Sequence, residues 1–158
     1  SVRTMMKVLF DLIPKKQEEM VLFQVHEKVP FLTSIADILE KYKVETILVR
    51  DYKKERDVYL DLFSIFYIEY LDRKCFFYTE NEVYERRLTL AQLMKELPEP
   101  FIQISKTTIL NIYMVKEINS SLLNGNLYVT LQNTEELLVS RYFSKALKEK
   151  IDQTFRNK

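Results

Sequence analysis

Residues 101–111 read FIQISKTTILN. The stretch opens like a strand, with Phe101, Ile102 and Ile104 apolar against Gln103 and Ser105. Lys106, Thr107 and Thr108 interrupt it, and the apolar run resumes at Ile109 and Leu110 before closing on Asn111. Two segments of strand-forming residues around a short polar break read as strand, loop, strand. The break has two readings. One is a solvated turn. The other is a loop that two strands hold out toward an anionic partner.

Outward from this stretch the chain is mostly short strands. Ahead of it, Thr89 and Gln92 form a capping box, in which each side chain satisfies a free amide near a helix start. Leu90, Leu93, Met94 and Leu97 give that helix one apolar face, and Pro98 and Pro100 stop it. Earlier still, segments at 45–52, 57–63, 65–69, 75–79 and 83–87 read as strands. Beyond the stretch, 113–123 leads into Asn124-Gly125, a strong hairpin signal. Leu127, Val129 and Leu131 alternate, residues 132–134 turn, and 137–139 returns. Ser140 suits the cap of a last helix, with Phe143, Ala146, Leu147, Ile151 and Phe155 as its buried stripe.

The front of the chain reads differently. Residues 5–13 and 20–27 are strand-like and flank a turn at Pro14, so a hairpin is expected. Pro30 suits a first helical turn, and Phe31, Ile35, Ile38, Leu39 and Tyr42 recur at helical spacing. The expected fold class is mainly β with short helices (α+β). Packed antiparallel sheets over 61–158 follow a β-β-α-β piece over 1–60.

Composition narrows the function. Nearly half of the 158 residues are apolar, so the chain folds. No apolar run approaches eighteen residues, so no membrane-spanning helix is expected. Residues 1–7 lead straight into a strand-like segment, so no secretory leader is expected. One cysteine, Cys75, allows no internal disulfide and fits a reducing cytoplasm; it reads as a small buried residue. Net charge is +1, which by itself makes no case for nucleic acid. Residues 101–158 nevertheless carry eight basic and five acidic side chains. His26 is the one histidine and Gly125 the one glycine. A glycine-rich phosphate cradle, a His/Cys metal site and a nucleophilic triad therefore lack their parts. No enzyme, cofactor or metal is expected.

Several segments in order carry a resemblance: IFYIEYLDRKCFFYT from residue 65, RRLTLAQLMKELP from 86, FIQISKTTILNIYMVKEI from 101, a hairpin, then LLVSRYFSKALKEKI from 137. Over residues 60–153 this order resembles the LytTR DNA-binding domain. The strand-loop-strand at 101–111 and VSRYF at 139–143 are its most specific parts.

The resemblance implies packed antiparallel sheets that read the DNA major groove with loops at sheet edges. It maps one loop onto Ser105, Lys106 and Thr107, anchored by Ile104 and Ile109. It maps a second onto Asp72, Arg73 and Lys74, and a third onto Ser140 and Arg141. Lys74, Lys106 and Arg141 are then expected on one face. Arg141 would present paired donors to guanine and Lys106 would act similarly. Ser105, Thr107 and Tyr142 would donate to phosphates, Lys145 would reach one, and the start of the last helix would offer amides to another. Here the chain departs from a commoner pattern, with Ser105-Lys106 where many members carry a histidine or an arginine-rich tip. Glu69 and Asp72 would repel phosphate unless turned inward or paired.

The front piece does not resemble a receiver domain, so aspartyl phosphorylation is not expected. By resemblance to short LytTR regulators, a membrane protein that holds the regulator inactive is an expected partner; completing the core or self-association are the plainer roles. The reading is a cytoplasmic, sequence-specific transcriptional regulator, homodimeric on double-stranded DNA and binding direct repeats in promoters. The alternative is a protein-interaction module docking on a membrane-embedded partner.

Overall fold

The computed structural model describes residues 5–41 and 45–155. The chain divides into two units, residues 1–41 and 42–158.

In the first unit the turn at Pro14 forms, with the Gln17 N–H donating to the Pro14 carbonyl at 3.0 Å. Helix α1 spans Pro30–Lys41. Proline at its first position gives up an amide that has no intrahelical partner there, and Thr33 bonds back to the Val29 carbonyl through both N–H and Oγ1. Tyr42, the last residue of the expected helical stripe, lies outside the described residues. The expected hairpin is not formed: residues 5–13 and 20–27 carry no strand. Val8, Leu9, Phe10, Leu12, Val21 and Leu22 stay exposed. A two-stranded hairpin is marginal in water without further strands or a packing surface.

The described residues of the second unit hold ten strands. β1 (Thr46–Asp51), β2 (Arg56–Asp61), β3 (Tyr67–Leu71), β4 (Lys74–Tyr78), β5 (Val83–Arg86), β6 (Phe101–Gln103) and β7 (Thr108–Asn111) form one antiparallel sheet, ordered β2-β1-β5-β4-β3-β7-β6. β8 (Val115–Ser120), β9 (Leu127–Leu131) and β10 (Glu136–Val139) form a second, ordered β10-β9-β8. The hairpin β1–β2, grouped by sequence with the front piece, joins the large sheet through Arg50 opposite Glu85. Helix α2 spans Leu90–Met94 and α3 spans Arg141–Phe155. The Thr89–Gln92 capping box is present in both directions, at 3.1 and 3.0 Å.

The period of two along strands sends neighbouring residues to opposite faces, and the large sheet uses both. Ile68, Phe77, Ile109 and Phe101 pack with Leu90 and Leu93 of α2 in one core. Tyr67, Leu110, Ile104 and Ile112 pack with Val129 and Leu131 of the second sheet and Leu147 of α3 in another. On α3, Leu147 is buried and Phe143 and Ile151 pack beside it, whereas Ala146 and Phe155 of the expected stripe are exposed. A helix on the outside of a small sheet covers it with a narrow strip only.

Asn111, which closes the opening stretch, is fully buried. Its Nδ2 donates to the Ile65 carbonyl at 2.9 Å, and its Oδ1 accepts from the Tyr113 N–H at 3.1 Å. The side chain thus satisfies two backbone groups at the end of β7, where the ladder stops. Cys75 is also fully buried, with Sγ 3.2 Å from the Leu88 carbonyl, and burial pushes its thiol up to about 11.

Candidate nucleic-acid interface

The loop at 105–107 is tied at several points. Ile104 N–H donates to the Thr108 carbonyl at 2.9 Å, closing the β6–β7 connection. Inside it, Ser105 Oγ accepts from the Thr107 N–H at 3.2 Å, and Gln103 Nε2 donates to the Ser105 carbonyl at 2.9 Å. A hydroxyl that bonds backbone two residues on mimics a turn and fixes the loop. Ile104 and Ile109, both fully buried, lie in the two different cores. The loop is therefore pinned from both faces of the sheet, while Lys106 and Thr107 are exposed.

Two backbone hydrogen bonds bring its neighbours in. Tyr70 N–H of β3 donates to the Thr107 carbonyl at 2.8 Å. Ser140 N–H, just before α3, donates to the Ile104 carbonyl at 2.9 Å. The β3–β4 tip and the start of α3 thus each adjoin the 105–107 loop. Ser140 acts here through its backbone: its carbonyl also accepts from the Phe143 N–H and the Ser144 hydroxyl.

At the β3–β4 tip, Leu71 pairs with Lys74 across the two-residue loop Asp72-Arg73. Asp72 and Arg73 have φ of 52° and 65°. This is the left-handed geometry of a two-residue hairpin loop, whose twist suits the strands and which usually takes asparagine and glycine. Arg73 is exposed at the apex. Lys74 behaves differently from the free outward cation the sequence suggests. Its Nζ is 2.6 Å from Glu85 Oε1 and lies over the rings of Tyr52 and Phe76 at 5.3 and 5.6 Å. The cation is already neutralised across β4 and β5. Glu69 is turned toward the Tyr78 hydroxyl, 3.4 Å away. It raises the Tyr78 pKa after burial, the larger cause.

Arg141 and Tyr142 open α3, both exposed. Tyr142 rests edge-on against Phe143, with ring centroids 4.9 Å apart. Lys145 and Lys148 are exposed one and two turns on, so with Arg141 they line one side of the helix. Arg141 Nη2 reaches the Asn124 carbonyl in the β8–β9 hairpin tip at 3.4 Å, a long contact. That tip is a neighbour which sequence reasoning placed in a hairpin but not at the site. Among the described residues the ion pairs are Arg50–Asp57, Lys74–Glu85 and Arg86–Glu96, so Arg73, Lys106, Arg141 and Lys145 are in none. No group of acidic, His or Cys side chains among them is arranged to hold a metal ion. No described helix is long and apolar enough to cross a membrane.

The fold is similar to that of a solved LytTr DNA-binding domain, from a Bacillus cereus protein described as a methyl-accepting/DNA response regulator. The match has a TM-score of 0.61 at 17% identity and covers 68% of this chain and 96% of that one. Among curated proteins, the chain is similar to an uncharacterized HTH-type transcriptional regulator of Staphylococcus aureus strain MRSA252. The two are 34% identical over 73 residues, 46% of this chain and 49% of that protein. Its counterpart in strain NCTC 8325 / PS 47 is 33% identical over the same length. The chain spans about half the length of these relatives. Their name refers to a helix-turn-helix, whereas the described residues here contain no two helices joined by a short turn. The family model of the LytTr DNA-binding domain matches residues 55–152, more than half of the chain, and the protein belongs to that family.

Proposed function

We propose that the protein is a sequence-specific DNA-binding transcriptional regulator that reads major-groove bases through the loops beside α3. One observation carries the reading. Three loop segments, joined by the Tyr70–Thr107 and Ser140–Ile104 hydrogen bonds, bear cations that are in no ion pair among the described residues: Arg73, Lys106 and Arg141. A surface of this kind attracts the phosphate backbone, and its forked donors discriminate bases. Arg141 supplies the fork to guanine O6 and N7, releasing its long contact to Asn124. Lys106 acts beside it, and Arg73 takes the part that Lys74, held by Glu85, leaves open. Thr107, Ser105 and Tyr142 donate to phosphates and fix register, and Lys145 neutralises one further along. The α3 amino end, with its free amides, suits another.

In this reading the protein acts in the cytoplasm, on direct repeats in promoters, as two copies that bend the duplex between them. Residues 5–25, with their exposed apolar side chains, serve a protein contact, either with the second copy or with a membrane-embedded inhibitor.

Fluorescence anisotropy tests the function. The duplex is the protein's own promoter region, compared with a scrambled duplex across a salt series and with Arg141→Ala. Preference for the promoter, steep weakening with salt and lost discrimination in the variant are expected. Equal weak binding to both duplexes, unchanged by the variant, would remove the mechanism.

A further inference from the structure

The β8–β9 tip, residues 121–126, reads SLLNGN. Leu122 and Leu123 are 103% and 98% exposed, the two most exposed large apolar side chains among the described residues. Their backbone is held. Gly125 N–H donates to the Ser121 carbonyl at 2.9 Å, and Ser121 N–H to the Asn126 carbonyl at 2.8 Å. Ser121 Oγ accepts from the Leu123 N–H at 3.3 Å, and Asn124 Oδ1 from the Asn126 N–H at 2.9 Å. Gly125, at a φ of 69°, closes the turn in the left-handed region that glycine adopts freely. The tip is one tight turn that lifts two leucines into solvent, and neither leucine belongs to either core.

We propose that Leu122 and Leu123 form an apolar wedge for the DNA minor groove, entering a base step next to the segment that Arg141 reads. This rests on the DNA-binding reading above. Proximity supports it, because the Arg141 guanidinium touches the Asn124 carbonyl of this tip. A tip adjoining a major-groove contact meets the flanking groove of the same duplex. Chemistry supports it as well. From Ile118 to Val129 there is no charged residue, so no carboxylate opposes phosphate. Ser121, Asn124 and Asn126 flank the leucines with donors that match the acceptors on the minor-groove floor. Apolar side chains inserted from the minor groove unstack a step and kink the duplex toward the major groove. Two leucines among serines and asparagines are too small a patch for a protein interface, which needs roughly 1,000 Å², but they are the size of a wedge.

The test uses the full chain and the duplex it selects from a randomised library, with 2-aminopurine at successive positions beside the selected site. Wild type should brighten the probe at one step and bend the end-labelled duplex. Leu122→Ser/Leu123→Ser should lose both effects and bind about tenfold more weakly or worse, with an unchanged salt slope because no charge is removed. Leu122→Met/Leu123→Met should keep all three. A serine variant that binds, brightens and bends like wild type overturns the wedge and leaves the DNA reading intact, with Arg141→Ala still losing discrimination. A serine variant altered only in sedimentation overturns it in favour of a contact between copies. A wild type that selects no duplex over random sequence brings down the DNA reading and the wedge together.

Discussion

The Ser140 N–H donates to the Ile104 carbonyl at 2.9 Å, and Ile104 is fully buried. One backbone bond therefore fastens the start of α3 to the base of the 105–107 loop. Positions of Lys106 and Arg141 are coupled through it, although 35 residues of chain separate them. Ser140→Pro removes the donor and leaves the carbonyl unsatisfied, a loss of about 1–3 kcal/mol. The substitution is otherwise well tolerated, because proline asks the preceding residue to be extended and Val139 already lies in β10. Urea unfolding measures the stability loss. Anisotropy on the folded variant should show weaker discrimination between duplexes. Ser140→Ala, which keeps the N–H, should match wild type in both.

The four loop cations divide into three kinds, and single substitutions separate them. Arg141→Ala should narrow the preference for the cognate duplex by about 1–3 kcal/mol, the worth of a forked contact to guanine. Lys106→Ala should narrow the same preference by less, because an ammonium lacks the paired donors. Arg73→Ala should weaken binding to cognate and scrambled duplexes together and reduce the salt slope by about 0.9 for one phosphate neutralised. Lys74→Ala should leave DNA affinity nearly unchanged and lower stability. Its side chain is 25% and that of Glu85 15% exposed, so Glu85 is left half-desolvated without its cation. The cost is roughly 1–2 kcal/mol, between an exposed pair and a buried one. Loss of DNA discrimination in Lys74→Ala at unchanged stability would reverse this assignment.

Asn111→Ala should be among the most damaging single changes in the domain. The side chain donates to the Ile65 carbonyl and accepts from the Tyr113 N–H, in a site with no exposure. Truncation leaves both partners unsatisfied and opens a small void. About 2–4 kcal/mol is expected from one lost donor and one lost acceptor. Asn111→Asp separates the terms, since it keeps the acceptor toward Tyr113 but sets a carboxylate against the Ile65 carbonyl. It should be at least as destabilising as alanine. Equilibrium urea unfolding of both variants checks the order.

Local chemistry was legible in the sequence wherever it was closed within a few residues. The Thr89–Gln92 box, the alternation of Leu127, Val129 and Leu131, and the loop between Ile104 and Ile109 all sit where their patterns put them. What the sequence hid depends on register or on missing company. Lys74 meets Glu85 eleven residues away, and only the pairing of β4 with β5 brings them together. Arg141 meets Asn124 only because the second sheet returns its hairpin tip to α3. The front strands failed for a different reason. MMKVLFDLI has a strand's composition, yet composition does not supply the neighbour that a strand needs. The fold of residues 60–153 was carried by the order of motifs, a longer-range signal than any of these.

Cys75 gives a pH-dependent test of the core. Burial is the main cause of its raised thiol pKa, from 9.0 to about 11, and the nearby Arg86 charge opposes it weakly. The buried environment disfavours the thiolate, so its contribution to stability is fully present below pH 9 and is lost as pH rises through about 11. The folded protein should therefore resist iodoacetamide at pH 8, where the thiol is both protonated and inaccessible, and react at once in urea. Tyr67, Tyr78 and Tyr113 are also raised by burial, with Glu135 adding to Tyr67, Glu69 to Tyr78 and Glu99 to Tyr113. They contribute an alkaline slope of the same sign. Cys75→Ser keeps a donor for the Leu88 carbonyl and removes the thiol alone. Thermal unfolding from pH 8 to 11 should show a shallower fall in Cys75→Ser than in wild type, the difference opening above pH 9. Identical slopes would assign the alkaline loss to the tyrosines and leave the thiol neutral in its effect.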